Sequence, residues 1–323
     1  MIPLRSPEEA LRPTAIALGS FDGLHQGHRR VIAAVAQAGR PATDGIIPTV
    51  VSFWPHPREV LHGDTRLRLD LPEEKLELLE PLGIRQLVLV PFTRELAALS
   101  PESFMEQVLV GQLQAREVAV GENFRFGRDR RGDAQTLRDL GARFNVKVSV
   151  LPMLWNGSER VSSSRIRRAL ATGDIREAGR LLERPYRFRG EVVRGRGLGR
   201  ELGWPTANLQ VDGRKILPLE GVYAARIWLN EAAPHDTPRA AVMNLGPQPT
   251  VDPNAPSAVE VHLLDGQHDL VGQQLCVEPL ALLRLQERFD SLESLKGQIA
   301  RDAEEARRYC GAAGCLSSPD RHG

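Results

Sequence analysis

The rhythm of apolar and polar positions changes about midway along the chain. In the first half, short apolar runs at 14–18 (TAIAL), 46–53 (IIPTVVSF), 86–92 (QLVLVPF), 116–120 (REVAV) and 146–151 (VKVSVL) alternate with helix-like stretches at 28–38, 72–82, 101–113 and 133–143. Near-continuous apolar strands separated by helices predict a parallel sheet covered on both faces. Such sheets bind ligands beyond the carboxyl ends of their strands. Two short helical stretches follow, 164–171 and 174–183, and the pattern then shifts near residue 184. Strand-like segments at 186–194, 221–230, 238–245, 257–264 and 273–283, joined by Gly- and Pro-rich connections, predict a small antiparallel barrel. A final helix is expected to open at Asp290, with Glu293 completing a capping box and Leu292, Leu295, Ile299, Ala303, Ala306 and Tyr309 as its apolar stripe. The tail "CGAAGCLSSPDRHG" lacks periodicity and is expected to be disordered. These readings divide the chain into domains at 1–184 and 185–310, with a tail at 311–323.

Composition is consistent with that division. A length of 323 residues and an apolar fraction of 41% suit two cored domains. Basic and acidic residues nearly balance, 42 against 41, so overall charge points to neither a nucleic-acid nor an acidic-surface partner. No apolar run approaches a membrane span, and "MIPLRSPEEALRPT" has no signal-peptide apolar region. Cys276, Cys310 and Cys315 are too few and too scattered for a disulfide framework or a zinc site. A soluble cytoplasmic protein is expected, with its oligomeric state undetermined.

The densest chemistry lies in "ALGSFDGLHQGH" (17–28), where Asp22, His25 and His28 fall among three glycines. A metal site would need further ligands, and zinc helices place histidines four apart rather than three. A strand running into a glycine turn and then a helix start suits phosphate better. Gly19 and Gly23 allow close backbone approach, the helix start offers unpaired N–H groups, and two imidazoles three apart can donate to one polyphosphate. In the second half, "GRGLG" (195–199) is no dinucleotide fingerprint, because Trp204-Pro205 interrupts any following helix. A phosphate-approaching loop remains.

With "VSSSRIR" (161–167) late in the same domain, "GSFDGLHQGH" resembles the HxGH nucleotidyltransferase superfamily. "FWPHP" (53–57) and "VGENFRFG" (120–127) narrow the likeness to the bacterial bifunctional riboflavin kinase/FAD synthetases. "PTAN" (205–208), "LPLEGVYA" (217–224), "NLGPQPT" (244–250) and "VEVHLLD" (259–265) are similar to the riboflavin kinase part. The resemblance implies a Rossmann-like nucleotidyltransferase domain of α/β parallel-sheet class, followed by an antiparallel β-barrel with a C-terminal helix. It implies that His25, His28, Ser163, Ser164 and Arg167 act in adenylyl transfer, with ATP also held by Gly19, Phe21, Asp22, Gly23 and Asn123. Phe53, His56 and Pro57 would meet the flavin there. In the barrel it implies Glu260 as general base, ATP at Gly195, Gly197, Gly199, Thr206 and Asn208, Mg²⁺ at Thr206 and Asn208, and flavin near Arg284 and Phe289. Substrates and products would be ATP, riboflavin, FMN and FAD. Val271 stands where relatives commonly have tyrosine, and the acidic residue near 286 falls at Glu287, which weakens the flavin assignment there. Two other classes fit parts of the pattern: a monofunctional adenylyltransferase on another phosphorylated substrate, and a non-catalytic flavin-binding regulator.

Overall fold

A computed structural model of the chain describes residues 1–37, 45–63, 67–195, 203–229, 237–246, 259–266 and 269–314. By its contacts the chain falls into two units, Met1–Ser163 and Ser164–Gly323. That division precedes the change of pattern near residue 184, so the two short helices there group with the second unit.

The first unit carries six strands, β1 (Leu4–Arg5), β2 (Thr14–Leu18), β3 (Ile47–Trp54), β4 (Gln86–Pro91), β5 (Ala115–Gly121) and β6 (Lys147–Leu151), in the order β1-β4-β3-β2-β5-β6. Every pairing in this sheet is parallel, as the apolar runs predict. Strand β1, only two residues at the edge, is too short to leave a periodic signal and was not predicted. Side chains alternate between two buried faces. Ile16, Leu18, Val51, Val118 and Val120 pack with Leu109, Leu113 and Leu137 on one face. Ala15, Ala17, Val50 and Ala119 face Val31, Ile32 and Val35 of α1 (Gln26–Ala36), with Leu76 and Leu79 of α3 (Pro72–Leu79), on the other. Helices α2 (Pro57–His62), α4 (Arg94–Ala98), α5 (Pro101–Phe104) and α6 (Ala134–Arg143) complete this unit. The helix expected over 101–113 is α-helical only in α5 and continues as a π-helix over Met105–Gln112. The chain moves outward from β2 to β3 and β4, then returns to β5 on the other side of β2. The crevice beyond the ends of β2 and β5 is therefore the topological switch point.

In the second unit, α7 (Ser163–Ala171) and α8 (Ile175–Leu182) precede a closed barrel. Its strands are β9 (Phe188–Val193), β10 (Ala207–Val211), β11 (Gly221–Trp228), β12 (Arg239–Leu245), β13 (Val259–Leu263) and β14 (Gln274–Arg284), in the order β10-β13-β12-β11-β14-β9. Strand β10 was not among the predicted strands. It lies behind the glycine-rich run, and only Leu209 and Val211 mark its buried face. Tyr223, Met243 and Val261, neighbours across three strands, fill the interior. On the outside, Val222, Ala224 and Val242 pack against Ala303 and Ala306 of α9 (Leu292–Gly314).

Three expectations for the last helix need correction. Ser291, not Asp290, caps α9: its hydroxyl accepts from Ser294 N at 3.1 Å. The apolar stripe holds at Ala303 and Ala306, but Leu292 (64% exposed) and Tyr309 (41%) face solvent. A helix of 23 residues is about 35 Å long and outreaches the strands it covers. Residues 310–314 of the expected disordered tail belong to α9, and 315–323 lie outside the described residues.

Candidate active sites

At the end of β2, Gly19 N still donates to Val51 O of the neighbouring strand, at 3.1 Å. The chain then turns through Phe21 (φ 44°), Gly23 (φ 92°) and Leu24 (φ 40°). Left-handed backbone at a bulky residue costs on the order of 1–3 kcal/mol. Burial of the Phe21 and Leu24 side chains, 3% and 1% exposed, offsets that cost.

Side chains from distant parts of the unit hold this turn in place. Ser20 O accepts from Ser52 Oγ at 3.2 Å and from the Lys75 ammonium at 3.1 Å. Asp22 O accepts from Ser163 Oγ at 2.7 Å. The buried Asp22 carboxylate accepts from the backbone N–H groups of Leu69 (2.9 Å) and Asp70 (3.3 Å). Asp22 and Ser163, both expected at the nucleotide, thus anchor the turn that faces it.

His25 is the N-cap of α1, and its Nδ1 accepts from His28 N at 3.4 Å. An accepting Nδ1 leaves the proton on Nε2, where it can be donated to a ligand. The two imidazoles stack with centroids 3.6 Å apart, and Phe21 meets His28 edge-on at 5.3 Å. Burial lowers the His25 pKa to about 4, and the Arg160 charge pushes in the same direction. Burial, then His25 and Lys75, hold His28 well below its usual value. Both imidazoles are therefore neutral donors at physiological pH. His28 Nδ1 is buried with no hydrogen-bond partner among the described residues.

The "FWPHP" residues reach the same crevice from β3. His56 caps α2, its Nδ1 accepting from Arg58 N and its own N–H donating to Glu59, both at 3.2 Å. Pro57 is the first residue of that helix. Arg68 pairs with Glu59 at 2.7 Å and lies over the Trp54 ring at 5.0 Å. Ser20, Asp22, Ser52, Phe53, Trp54, His56, Arg68 and Lys75 line one pocket. Asn123 sits exposed on the turn after β5, whose end lies beside that of β2. Lys75 and Arg68 escaped sequence reasoning because a charge in "LRLDLPEEK" reads as a solvated face, yet both are buried. Ser164 (exposed) and Arg167 (half-buried) lie on α7, grouped with the second unit.

The barrel builds its candidate site by register. Val193, Asn208, Glu260, Asn244, Val222 and Arg284 pair in succession around the wall at one level. Leu209, Val259 and Val261 point into the core, so Asn208 and Glu260 share the outer face. Opposed side chains on adjacent strands stand about 5 Å apart at Cβ. The backbone at Gly195 comes close to Asn208, whose Nδ2 would lie 2.0 Å from a Cβ there and would have to move aside. His262 Nδ1 bonds Pro205 O at 2.8 Å and Trp204 packs edge-on to its ring at 5.1 Å, which steadies the turn before Thr206. Gln286 donates to Asn244 Oδ1 at 2.6 Å. The Arg284 guanidinium is held by Asp302 of α9, Nη2 to Oδ2 at 2.9 Å and Nε to the same oxygen at 3.1 Å. Arg284 also lies 5.5 Å from the Phe289 ring and 3.5 Å from Glu287. Asp302, Gln286, Trp204 and His262 were not among the predicted site residues. Gly197 and Gly199 lie outside the described residues, as do residues 247–250 of "NLGPQPT".

Among the described residues, no group of three or more His, Cys, Asp or Glu is placed to hold a metal, and no helix is long and apolar enough to cross a membrane. Thr206 and Asn208 do offer the hard oxygen donors that Mg²⁺ takes when substrate phosphates complete its shell.

Comparison with known proteins matches a family model described as FAD synthetase to residues 7–165 and one described as riboflavin kinase to residues 182–310. The chain is 36% identical over 309 residues to an Escherichia coli (strain K12) protein named bifunctional riboflavin kinase/FMN adenylyltransferase, covering 95% of each chain. A Bacillus subtilis (strain 168) protein of the same name is 33% identical over 307 residues, covering 94% of each. A Streptococcus pneumoniae crystal structure titled macrolide-efflux protein superposes with a TM-score of 0.81 at 29% identity, covering 95% of this chain and 98% of that one.

Proposed function

The chain belongs to the bifunctional riboflavin kinase/FMN adenylyltransferase family, and on that premise we propose how its residues divide the two reactions. The barrel phosphorylates riboflavin to FMN with ATP, and the parallel-sheet domain joins FMN to the adenylyl group of a second ATP, giving FAD and pyrophosphate. One observation carries the reading: groups suited to phosphoryl or nucleotidyl transfer occur twice, as the donors His25 and His28 in one unit and as Asn208 beside the proton acceptor Glu260 in the other.

In adenylyl transfer, the FMN phosphate oxygen attacks the α-phosphorus of ATP and the bond to the β-phosphate oxygen breaks. The attacking phosphate is already ionised, so no base is required. His25 and His28 act as neutral donors to oxygens gaining charge, on a turn that needs no reorganisation during the reaction. Ser164 and Arg167 hold the β- and γ-phosphates, Ser163 fixes the turn through Asp22 O, and Gly19, Phe21, Asp22, Gly23 and Asn123 bind the rest of ATP, while Phe53, His56 and Pro57 flank the flavin. Because α7 carries Ser164 and Arg167, the functional boundary is placed at 1–184 and 185–310.

In the kinase reaction, Glu260 accepts the proton of the ribityl 5′-hydroxyl as that oxygen bonds to the γ-phosphorus and ADP leaves. Thr206 and Asn208 would hold Mg²⁺ and phosphate oxygens, with Gly195 approaching the phosphates. Arg284 and Phe289 lie beside the flavin. Mg²⁺ supplies neutralisation of phosphate charge when bound. The protein works in the cytoplasm, in keeping with cysteines too few and too scattered for a disulfide framework.

The test is incubation of the purified chain with riboflavin, ATP and Mg²⁺, followed by separation of the flavins. FMN appearing first and FAD after it is the expected result. Riboflavin alone overturns the reading. FAD formed only when FMN is supplied would reduce the chain to an adenylyltransferase.

A further inference from the structure

Lys75 lies in α3, on the face that packs beneath the turn between β2 and α1, and it is buried. Burying an ammonium is costly, and a methionine would fill similar space without that penalty. Its Nζ donates to Ser20 O, a carbonyl that already accepts from Ser52 Oγ. An ammonium has three protons to donate. Lys75 also lines the pocket that holds Asp22, Ser52, Trp54, His56 and Arg68. Ser20 is followed directly by the left-handed Phe21, so the carbonyl it holds belongs to the strained turn itself.

We infer that Lys75 is a positioning residue for adenylyl transfer: it fixes the Ser20 carbonyl, and through it the hand of the Gly19–Gly23 turn, while keeping a positive charge beneath the phosphates. The inference rests on the assignment of FAD synthesis to this unit. Asp22 and Asp70 face the ammonium and favour its charged form, as does Glu74 on its own helix, whereas Arg68 opposes it. His28, whose imidazole stays neutral, and His56 are the other titratable groups around it. Burial outweighs the carboxylates and lowers the Lys75 pKa below the usual lysine value.

The experiment uses the full chain and follows FMN-to-FAD conversion as kcat/KM over about pH 6 to 10, a profile that reports groups of the free enzyme. Riboflavin-to-FMN conversion and thermal unfolding are measured on the same samples. Lys75→Met is expected to lower FAD formation on the order of 100-fold, chiefly in kcat, as misplacement of reacting groups does. FMN formation should stay within about twofold. The unaltered chain is expected to lose FAD synthesis on the alkaline side, below the ordinary lysine range. Lys75→Arg, which stays charged throughout, is expected to retain part of the activity without that loss. FAD formation within about threefold of the unaltered chain in Lys75→Met overturns the inference, as does an alkaline fall unchanged in Lys75→Arg. Should Lys75→Met fail to fold, the Lys75→Arg profile decides. Should neither fold, a flat profile of the unaltered chain overturns it. No FAD from the unaltered chain at any pH would overturn the adenylyl-transfer assignment itself.

Discussion

The two units build a phosphate site in opposite ways. In the parallel-sheet unit the groups lie beyond the strand ends, on a turn whose shape depends on tethers from distant segments: Ser52, Leu69, Asp70, Lys75 and Ser163. In the barrel, Asn208, Glu260 and Asn244 lie in the strands themselves and are neighbours because three strands pair in one register. A site at strand ends is therefore sensitive to buried charge and to the anchors of its loop. A site within strands is sensitive to register, since a slip of one residue would turn Glu260 into the core. The first arrangement brings one buried and one half-buried histidine to a helix start; the second brings a carboxylate to a sheet face without burying it.

The contrast can be broken in stages. His28→Ala should lower FAD formation by about 1,000-fold or more, with FMN formation within about twofold. Assays of both products on one preparation check it, and a parallel loss of both in a folded protein would end the division of labour. Glu260→Gln should do the reverse, lowering FMN formation on the order of 100-fold or more while FAD formation from supplied FMN is unchanged. Undiminished riboflavin phosphorylation would remove Glu260 as base.

A pH effect should separate the units next. The folded-state pKa of His25, about 4, lies below the ordinary histidine value of about 6.5, so the unfolded chain takes up a proton first as pH falls. The stability this confers is present above about pH 6.5 and lost progressively toward pH 4. From pH 7 to 5 the loss is about 2 kcal/mol. Thermal unfolding of the first unit across that range checks it, and His25→Gln should flatten the dependence. The smallest effect should come from Gly195→Ala. Its Cβ would displace the Asn208 amide, a side-chain end free to move, so FMN formation should fall about tenfold with little change in melting temperature. A large drop in melting temperature would mean that Gly195 serves the fold rather than Asn208.

Much of this organisation could be read from residue patterns. Strands β2 to β5 announce themselves because a strand buried on both faces must be largely apolar, and the edge strand β6 does so through its alternation of Val148 and Val150 with polar residues. The five barrel strands other than β10 do so through their turns. Strand β10 stayed hidden because it carries site residues on one face and only Leu209 and Val211 on the other. The histidines were legible because their spacing is local to one helix turn. The buried cations Lys75 and Arg68 were not, since burial of a charge is decided by what packs over it.

By itself, then, the sequence determined the succession of elements, the change from parallel to antiparallel architecture and the motifs whose spacing lies within a single turn or strand. Periodicity and local motif spacing are short-range properties, and a residue's neighbours in the chain suffice to express them. Only the tertiary structure decided that Asp22 and Ser163 tether the phosphate turn, that His25 and His28 stack as neutral rings, that Asp302 holds Arg284 and that Glu260 stands beside Asn208. Each of those depends on burial or on register between segments far apart in the chain, and neither quantity exists before the chain has folded.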